Sequence, residues 1–362
     1  MRELLKIGAV MLIIASGAIL ITSIQSHSGK GGFSVATISP GDRMPISQAS
    51  KSTPLPANEE LVIYTYDGIT SDWGLGPKIF PIFEEECNCH LKVVAKGDVG
   101  EFVARLIYEK GSPEADIALG IDNTFRERVE REELLDPYRP SALESIDSRL
   151  LDGDYRFIPF DWGYLAFVYD SKSLQAPPTS LEDLASGRFR KKIILEDART
   201  SSPGRVFLYW VASEYGNNTA DYLERLEPNI LTITPGWSEA YNLFLQGEAP
   251  IVLSYSTSPA YHFLNENTSR YKAAIFPKMY RQVEYVGIVK GARHRELAER
   301  FVEFMLSERA QAQIPLGNFM YPSRLGVPLP EAFQLVVEPG ESWQEIGEGD
   351  KWLEVWEGAY SN

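Results

Sequence analysis

A chain of 362 residues can bury more than one core, and two lobes are expected rather than one. Its 50 acidic against 35 basic side chains leave a net charge of -15, which argues against a nucleic-acid partner and is compatible with a cationic ligand. Two cysteines and four scattered histidines (His27, His90, His262, His294) are too few for a disulfide framework or a typical zinc site, so no metal and no cofactor is expected.

The amino-terminal end reads as a separate object. Ile7 to Ile24 is apolar or small throughout and reaches the lower length limit for a bilayer-spanning helix. Arg2 and Lys6 precede it and favour an amino terminus held in the cytoplasm. A cleaved signal peptide is the rival reading, but the run is long and no A-x-A-like site follows, so residues 1–24 are read as an uncleaved anchor in the lipid bilayer. In either case the rest of the chain is exported: it is tethered at the outer face of the cytoplasmic membrane, or periplasmic or secreted if the segment is removed. Residues 25–58 are rich in Ser, Gly and Pro without periodicity and read as a flexible tether.

The folded body opens on a β-rich run, Leu61–Thr65, that gives way to a loop at Tyr66-Asp67-Gly68. A helix starts near Pro77, a second strand covers Leu91–Ala95, and Val99, Phe102, Val103, Leu106 and Ile107 mark an amphipathic helix. Ala115–Ile121 is a third strand, ending at Asp122-Asn123. The alternation predicts an α/β fold with a mainly parallel sheet and helices on its faces, and such sheets bind ligands at the carboxyl ends of their strands.

Phe157–Tyr169 is a long apolar run interrupted by Asp161, as expected of a strand crossing from one lobe to the other. Ile193–Leu195 is a strand whose following loop, Glu196–Gly204, leads into an apolar helix. Glu284–Val289 crosses back. These crossings divide the body into a discontinuous first lobe, 59–162 and 283–362, and a second lobe, 163–282, with the ligand in the cleft between them. A helix with Leu297, Phe301 and Met305 on one face follows, and Trp352 and Trp356 at i, i+4 spacing predict a packed helix near the end.

One stretch concentrates the chemistry. Thr234–His262 carries Trp237, Tyr241, Tyr255 and Tyr261, polar aromatics that suit either a pocket for a flat, polar ligand or a half-buried aromatic cluster. Tyr241 shares a helix face with Phe244 and Leu245 and reads as packing. At Ser201, Ser202 and Gly204, hydroxyls and a glycine before a helix suit either an anion such as phosphate or an ordinary cap. Cys87-Asn88-Cys89 reads as two half-buried thiols at a helix end in preference to an i, i+2 disulfide. No GxxxxGK[ST], HExxH or GxSxG occurs, which favours a binder over an enzyme.

The motifs YTYDG (64–68), DWGLGP (72–77), CNC (87–89), ADIALGIDN (115–123), PFDWGYLAFVYD (159–170), DARTSSPG (197–204), GWSEAY (236–241), LSYSTSPAYH (253–262) and IPLGNFMYP (314–322) occur in this order. Across Leu61–Pro322 the chain resembles the thiamine-binding proteins of bacterial thiamine ABC importers, which are two-lobed periplasmic binding proteins. The resemblance implies a monomer that holds thiamine, or its mono- or diphosphate, between the lobes and hands it to a permease with its ATPase subunits.

It further implies that Tyr66, Trp73, Trp237, Tyr255 and Tyr261 sandwich the two rings and that Ser201, with Ser202 and Gly204, meets a phosphate. Asp67 and Asp161 would face the aminopyrimidine or the cationic ring. Phe319 stands where the family has tryptophan in GNWMYP, and its π face attracts a cation less strongly. Two other readings remain: a thiaminase-like enzyme of the same fold, which needs a cysteine nucleophile, and a ferric-ion or anion receptor.

Overall fold

β1 (Glu60–Thr65) is buried along its whole length after Glu60, so its residues are apolar on both sides instead of alternating. Leu61 and Ile63 face one core layer, with Phe83 and Phe301; Val62 and Tyr64 face the other, with Phe102 and Val103. β2 (His90–Ala95) and β3 (Ile117–Asp122) flank β1, both parallel to it. The crossovers are the helices Gly76–Cys87, with a proline in its first turn, and Val99–Tyr108, capped by the Asp98 side chain. The computed structural model describes residues 59–360 apart from 152, 338, 344–346 and 348. The expected anchor, 1–24, and tether, 25–58, lie outside these residues; among the described ones no helix is long and apolar enough to cross a membrane.

Later strands are β4 (Leu135–Asp136), β5 (Ile158–Asp170), β6 (Ile193–Glu196), β7 (Ile230–Thr234), β8 (Ile251–Tyr255), β9 (Tyr271–Ala274) and β10 (Lys278–Val289). They form a path in the order β2-β1-β3-β10-β5-β8-β6-β7. β5 is the crossing strand: its first half pairs with β10, and its second half, from Leu165, pairs with β8 and β9. β10 joins β5 to β3. The sheet is parallel within β1–β3 and within β6–β8, but both crossing strands run antiparallel to their neighbours. It is therefore mixed, not mainly parallel, because a strand returning from the second lobe must run against the one that went out.

The second lobe has its own core, built on Phe167, Phe207 and Trp210. The carboxyl-terminal segment belongs there too, contrary to the division that put all of 283–362 in the first lobe. The helix Arg295–Met305 does pack in the first lobe through Leu297, Phe301 and Met305. After β11 (Tyr321–Pro322), however, β12 (Glu341–Trp343) pairs with the start of β10. The helix Gly349–Tyr360 then lays Trp352 and Trp356 into the second core. That apolar stripe finds its open face against the helices Ser202–Tyr215 and Thr219–Leu226. At its start, Gly349 N–H donates to Glu127 in the first lobe (3.0 Å) and Asp350 pairs with Arg131 (2.8 Å).

Cys87 and Cys89 are joined as a disulfide, not left as thiols. Asn88 between them takes a left-handed conformation (φ 53°), which asparagine tolerates and which ends the helix tightly enough to bring the sulfurs together.

Trp356 is 1% exposed. Replacing it with alanine is expected to cost about 3–5 kcal/mol in urea unfolding, while the exposed Leu329→Ala should stay within about 0.5 kcal/mol.

Candidate ligand-binding cleft

The loops and helix starts that follow β1, β2, β6, β7 and β8 open on a cavity of about 360 Å³, within the size range of small-molecule sites. Tyr66 and Asp67 follow β1, and Trp73 precedes the helix Gly76–Cys87. Trp237 opens the helix Trp237–Gln246, Tyr255 ends β8, and Tyr261 lies in the helix Ser258–Glu266. Phe319 follows the short helix Ile314–Gly317. These seven expected residues line one cavity, and Ser202 joins them. Asp161, Ser201 and Gly204 do not line it. Ser201 and Asp161 are fully buried. Gly204 has a packing role: a Cβ there would sit 2.5 Å from the Glu196 carbonyl oxygen, so glycine is what allows the helix to lie close to β6.

The aromatic rings form a continuous lining. Trp73 meets Trp237 edge-on at 5.9 Å and Tyr261 at 6.1 Å, and Tyr261 meets Phe319 at 5.1 Å. Trp237 is held from behind: Tyr241 stacks on it at 4.8 Å, and its Nε1–H donates to Ser254 Oγ at 2.9 Å. Tyr241 is thus packing, as its helix face predicts. Its hydroxyl bonds to His262 Nε2, whose Nδ1 bonds to Glu266, and its ring also forms part of the wall. Phe319 has φ +53°, uncommon for a bulky residue; the turn closed by Phe319 N–H on the Ile314 carbonyl holds it there.

Three carboxylates, Asp67, Asp98 and Glu284, reach the cavity; among the described residues that line it there is no Lys, Arg or His. Asp98 accepts from Val99 N–H (2.7 Å) and reaches across to Ser202 N–H and Trp237 N–H (both 3.3 Å) in the second lobe. Ser202 Oγ also donates to Asp122. The helix start expected to meet a phosphate is therefore capped by the protein's own carboxylates. Asp67 accepts from Ser238 Oγ at 3.1 Å, a further link between the lobes. Burial pushes the Asp98 carboxyl up to about 6 and raises Asp67, its backbone and side-chain donors pulling the other way.

Glu284 lies directly opposite Asp161 in the β10–β5 register. Its Oε2 accepts from Tyr66 OH (2.9 Å) and from Asn318 Nδ2 (3.4 Å), and its Oε1 from Gln282 Nε2 (3.1 Å). Asp161 Oδ2 accepts from Asn318 Nδ2 at 2.6 Å, while its buried Oδ1 has no partner. Asp161, expected at the ligand, thus stands behind Asn318, which does line the cavity. Gln282 also accepts from Tyr255 OH, so the two tyrosines share one network.

Asp98, Glu284 and Asn318 are among the lining residues that sequence reasoning missed, as are Ser71, Ser238, Asn242, Thr257 and Ser258. Asp98 had a signal as an acidic residue ahead of a helix. Glu284 had one as the first residue of the expected return strand, but only the register shows it facing Asp161.

With two such lobes, two crossing strands and an aromatic cleft between, the fold is that of a two-lobed periplasmic binding protein. The sequence profile of the bacterial extracellular solute-binding proteins matches residues 112–345. The thiamine-binding periplasmic protein of Salmonella typhimurium is 39% identical over 318 residues, 86% of this chain and 96% of that protein. The thiamine-binding periplasmic protein of Brucella melitensis is 41% identical over 288 residues, covering 78% and 85%. A solved structure of a periplasmic thiamin binding protein superposes with a TM-score of 0.81 at 38% identity, covering 84% of this chain and 97% of its own. The chain belongs to the bacterial extracellular solute-binding protein family.

The Asp98 carboxyl sets a pH dependence. Below its ordinary value of 3.8 it is neutral whether the chain is folded or not; as pH rises toward about 6 the unfolded chain ionises it first, so folding loses stability over that window. Asp98→Asn is expected to gain stability relative to the unchanged protein between about pH 4 and about pH 7, read by urea unfolding at both values.

Proposed function

We propose that this protein is the extracytoplasmic receptor of an ABC importer, capturing thiamine in the interlobe cleft and delivering it to the permease and its ATPase subunits. The observation that carries this reading is a cleft walled by Tyr66, Trp73, Trp237, Tyr255, Tyr261 and Phe319, with three carboxylates and no basic side chain among its described lining residues. It sits on a chain about 40% identical to thiamine-binding periplasmic proteins. Thiamine is two flat rings, one with a permanent positive charge, and aromatic faces with nearby carboxylates attract such a cation. Closure of the lobes about β5 and β10 buries the rings and shields the ligand from water. For a mono- or diphosphate ester, the Ser202 N–H now held by Asp98 is the donor that the phosphate takes over.

The observations support a binding role over catalysis. A thiaminase-like reaction needs a thiolate, whereas Cys87 and Cys89 are bonded to each other at a helix end, away from the residues lining the cleft. A ferric-ion site would call on free phenolates, but Tyr66 OH and Tyr255 OH are engaged with Glu284 and Gln282. The apolar run at residues 7–24 supports tethering of the receptor at the membrane.

Thiamine titration followed by tryptophan fluorescence tests the reading: saturable quenching is expected, and no response up to about 1 mM sinks it. Trp237→Ala should weaken binding by about 1–3 kcal/mol, roughly 5- to 150-fold in Kd, if its ring stacks on the ligand.

A further inference from the structure

Ser254, Ser258 and His262 are buried, and the function just proposed gives them no role. Donor and acceptor chemistry joins them into a row. The Trp237 indole N–H can only donate, and it does so to Ser254 Oγ at 2.9 Å. Ser254 Oγ and Ser258 Oγ lie 2.8 Å apart, and Ser258 Oγ also accepts from Tyr255 N–H at 3.2 Å. The Tyr241 hydroxyl bonds to His262 Nε2 at 2.9 Å and has Ser258 as a second hydrogen-bond neighbour. His262 Nδ1 lies 2.8 Å from Glu266 Oε2, on a side chain that reaches the surface.

The two ends force the direction of the row. A carboxylate only accepts, so His262 carries its ring proton on Nδ1, and its bare Nε2 accepts from Tyr241 O–H. The Tyr241 oxygen can then accept from Ser258, Ser258 from Ser254, and Ser254 from Trp237. Every donor points from the cleft wall towards the surface. The His262 ring cannot turn over without losing both bonds, and it packs against Tyr261 (5.1 Å) and Tyr271 (4.3 Å). The titratable groups facing it are Tyr241 from the helix Trp237–Gln246, Tyr261 and Glu266 from its own helix, and Tyr271 from β9. Arg270, over the Tyr271 ring, is paired with Asp170 at 2.6 Å. Burial holds the imidazole below its ordinary value of 6.5, with Glu266 pulling the other way. An imidazolium would donate from both nitrogens; the row would have to reverse, and the Ser254 proton would lose its acceptor.

We propose that Trp237, Ser254, Ser258, Tyr241, His262 and Glu266 form a one-way hydrogen-bond relay, in which His262 and Glu266 are positioning residues that fix the Trp237 ring and the Tyr255 backbone for the ligand. This rests on the thiamine reading above and adds to it two residues that do not line the cavity. The gain is preorganisation: a ring already held at its working angle loses less freedom when the ligand stacks on it. Tyr241 is the link between the two halves, since it stacks on Trp237 with its face and bonds to His262 with its hydroxyl.

Heteronuclear NMR of the imidazole nitrogens reads the His262 tautomer without any ligand. A proton on Nδ1 with Nε2 bare is expected at about pH 7.5, and a proton on Nε2 overturns the relay. Tyr241→Phe keeps the stacked ring and removes only the hydroxyl, while Glu266→Ala removes the acceptor at the surface. Each should weaken thiamine binding about 3- to 10-fold at about pH 7.5, the scale of one hydrogen bond. Both cut the same row, so the double variant should bind no more weakly than the more affected single one. Effects that multiply overturn the inference, as do single variants that bind like the unchanged protein. The advantage of the unchanged protein over Tyr241→Phe should also vanish as pH falls through the His262 titration, below its ordinary value of 6.5, because the imidazolium has already broken the row. An advantage that persists there marks a merely structural hydroxyl and overturns the relay. No thiamine binding by the unchanged protein overturns the receptor reading itself.

Discussion

The structure depends on the antiparallel pairing of β5 with β10. These two strands carry the chain out of the first lobe and back, and their contact is the place where both lobes and the cleft share atoms. Placing Asp161 opposite Glu284 there has a clear energetic sign: burying two like-charged groups side by side is unfavourable unless protons and donors compensate. Tyr66, Asn318 and Gln282 supply the donors, and through Gln282 the same network orients Tyr255. The ring positions in the cleft are therefore tied to the polar groups at its hinge, so the aromatic wall and the acidic floor are one construction.

A second tie runs across the mouth. Asp98 ends one lobe's loop and caps two helix starts of the other through Ser202 N–H and Trp237 N–H. A carboxylate at the positive end of a helix is favourable, and two such ends converging on one acid favour closure. The acid that caps them is itself raised by burial, so the tie is a compromise between desolvation and hydrogen bonding.

Much of this was legible in the sequence because periodicity and ring clustering are local. β1, β2 and the helices at Gly76 and Val99 follow directly from apolar spacing, and the aromatic residues of the cleft stand in recognisable motifs. What was not legible is register and long-range packing. Asp161 looked like a ligand residue because it interrupts an apolar strand, yet its interruption serves Asn318 and Glu284. Ser201 and Gly204 looked like a phosphate seat, yet one is buried and the other makes room for β6. The final helix carried a clear stripe in Trp352 and Trp356, but a stripe does not say which of two lobes it covers.

That last helix alters the connectivity of the whole body. β5, β10 and the segment leading to Glu341 make three passages between the lobes, and three is odd. The folded chain consequently enters on the first lobe, at Glu60, and finishes on the second, at Tyr360. The first described strand and the last described helix thus stand on different lobes, so the separation between them would report any change in the distance between the lobes.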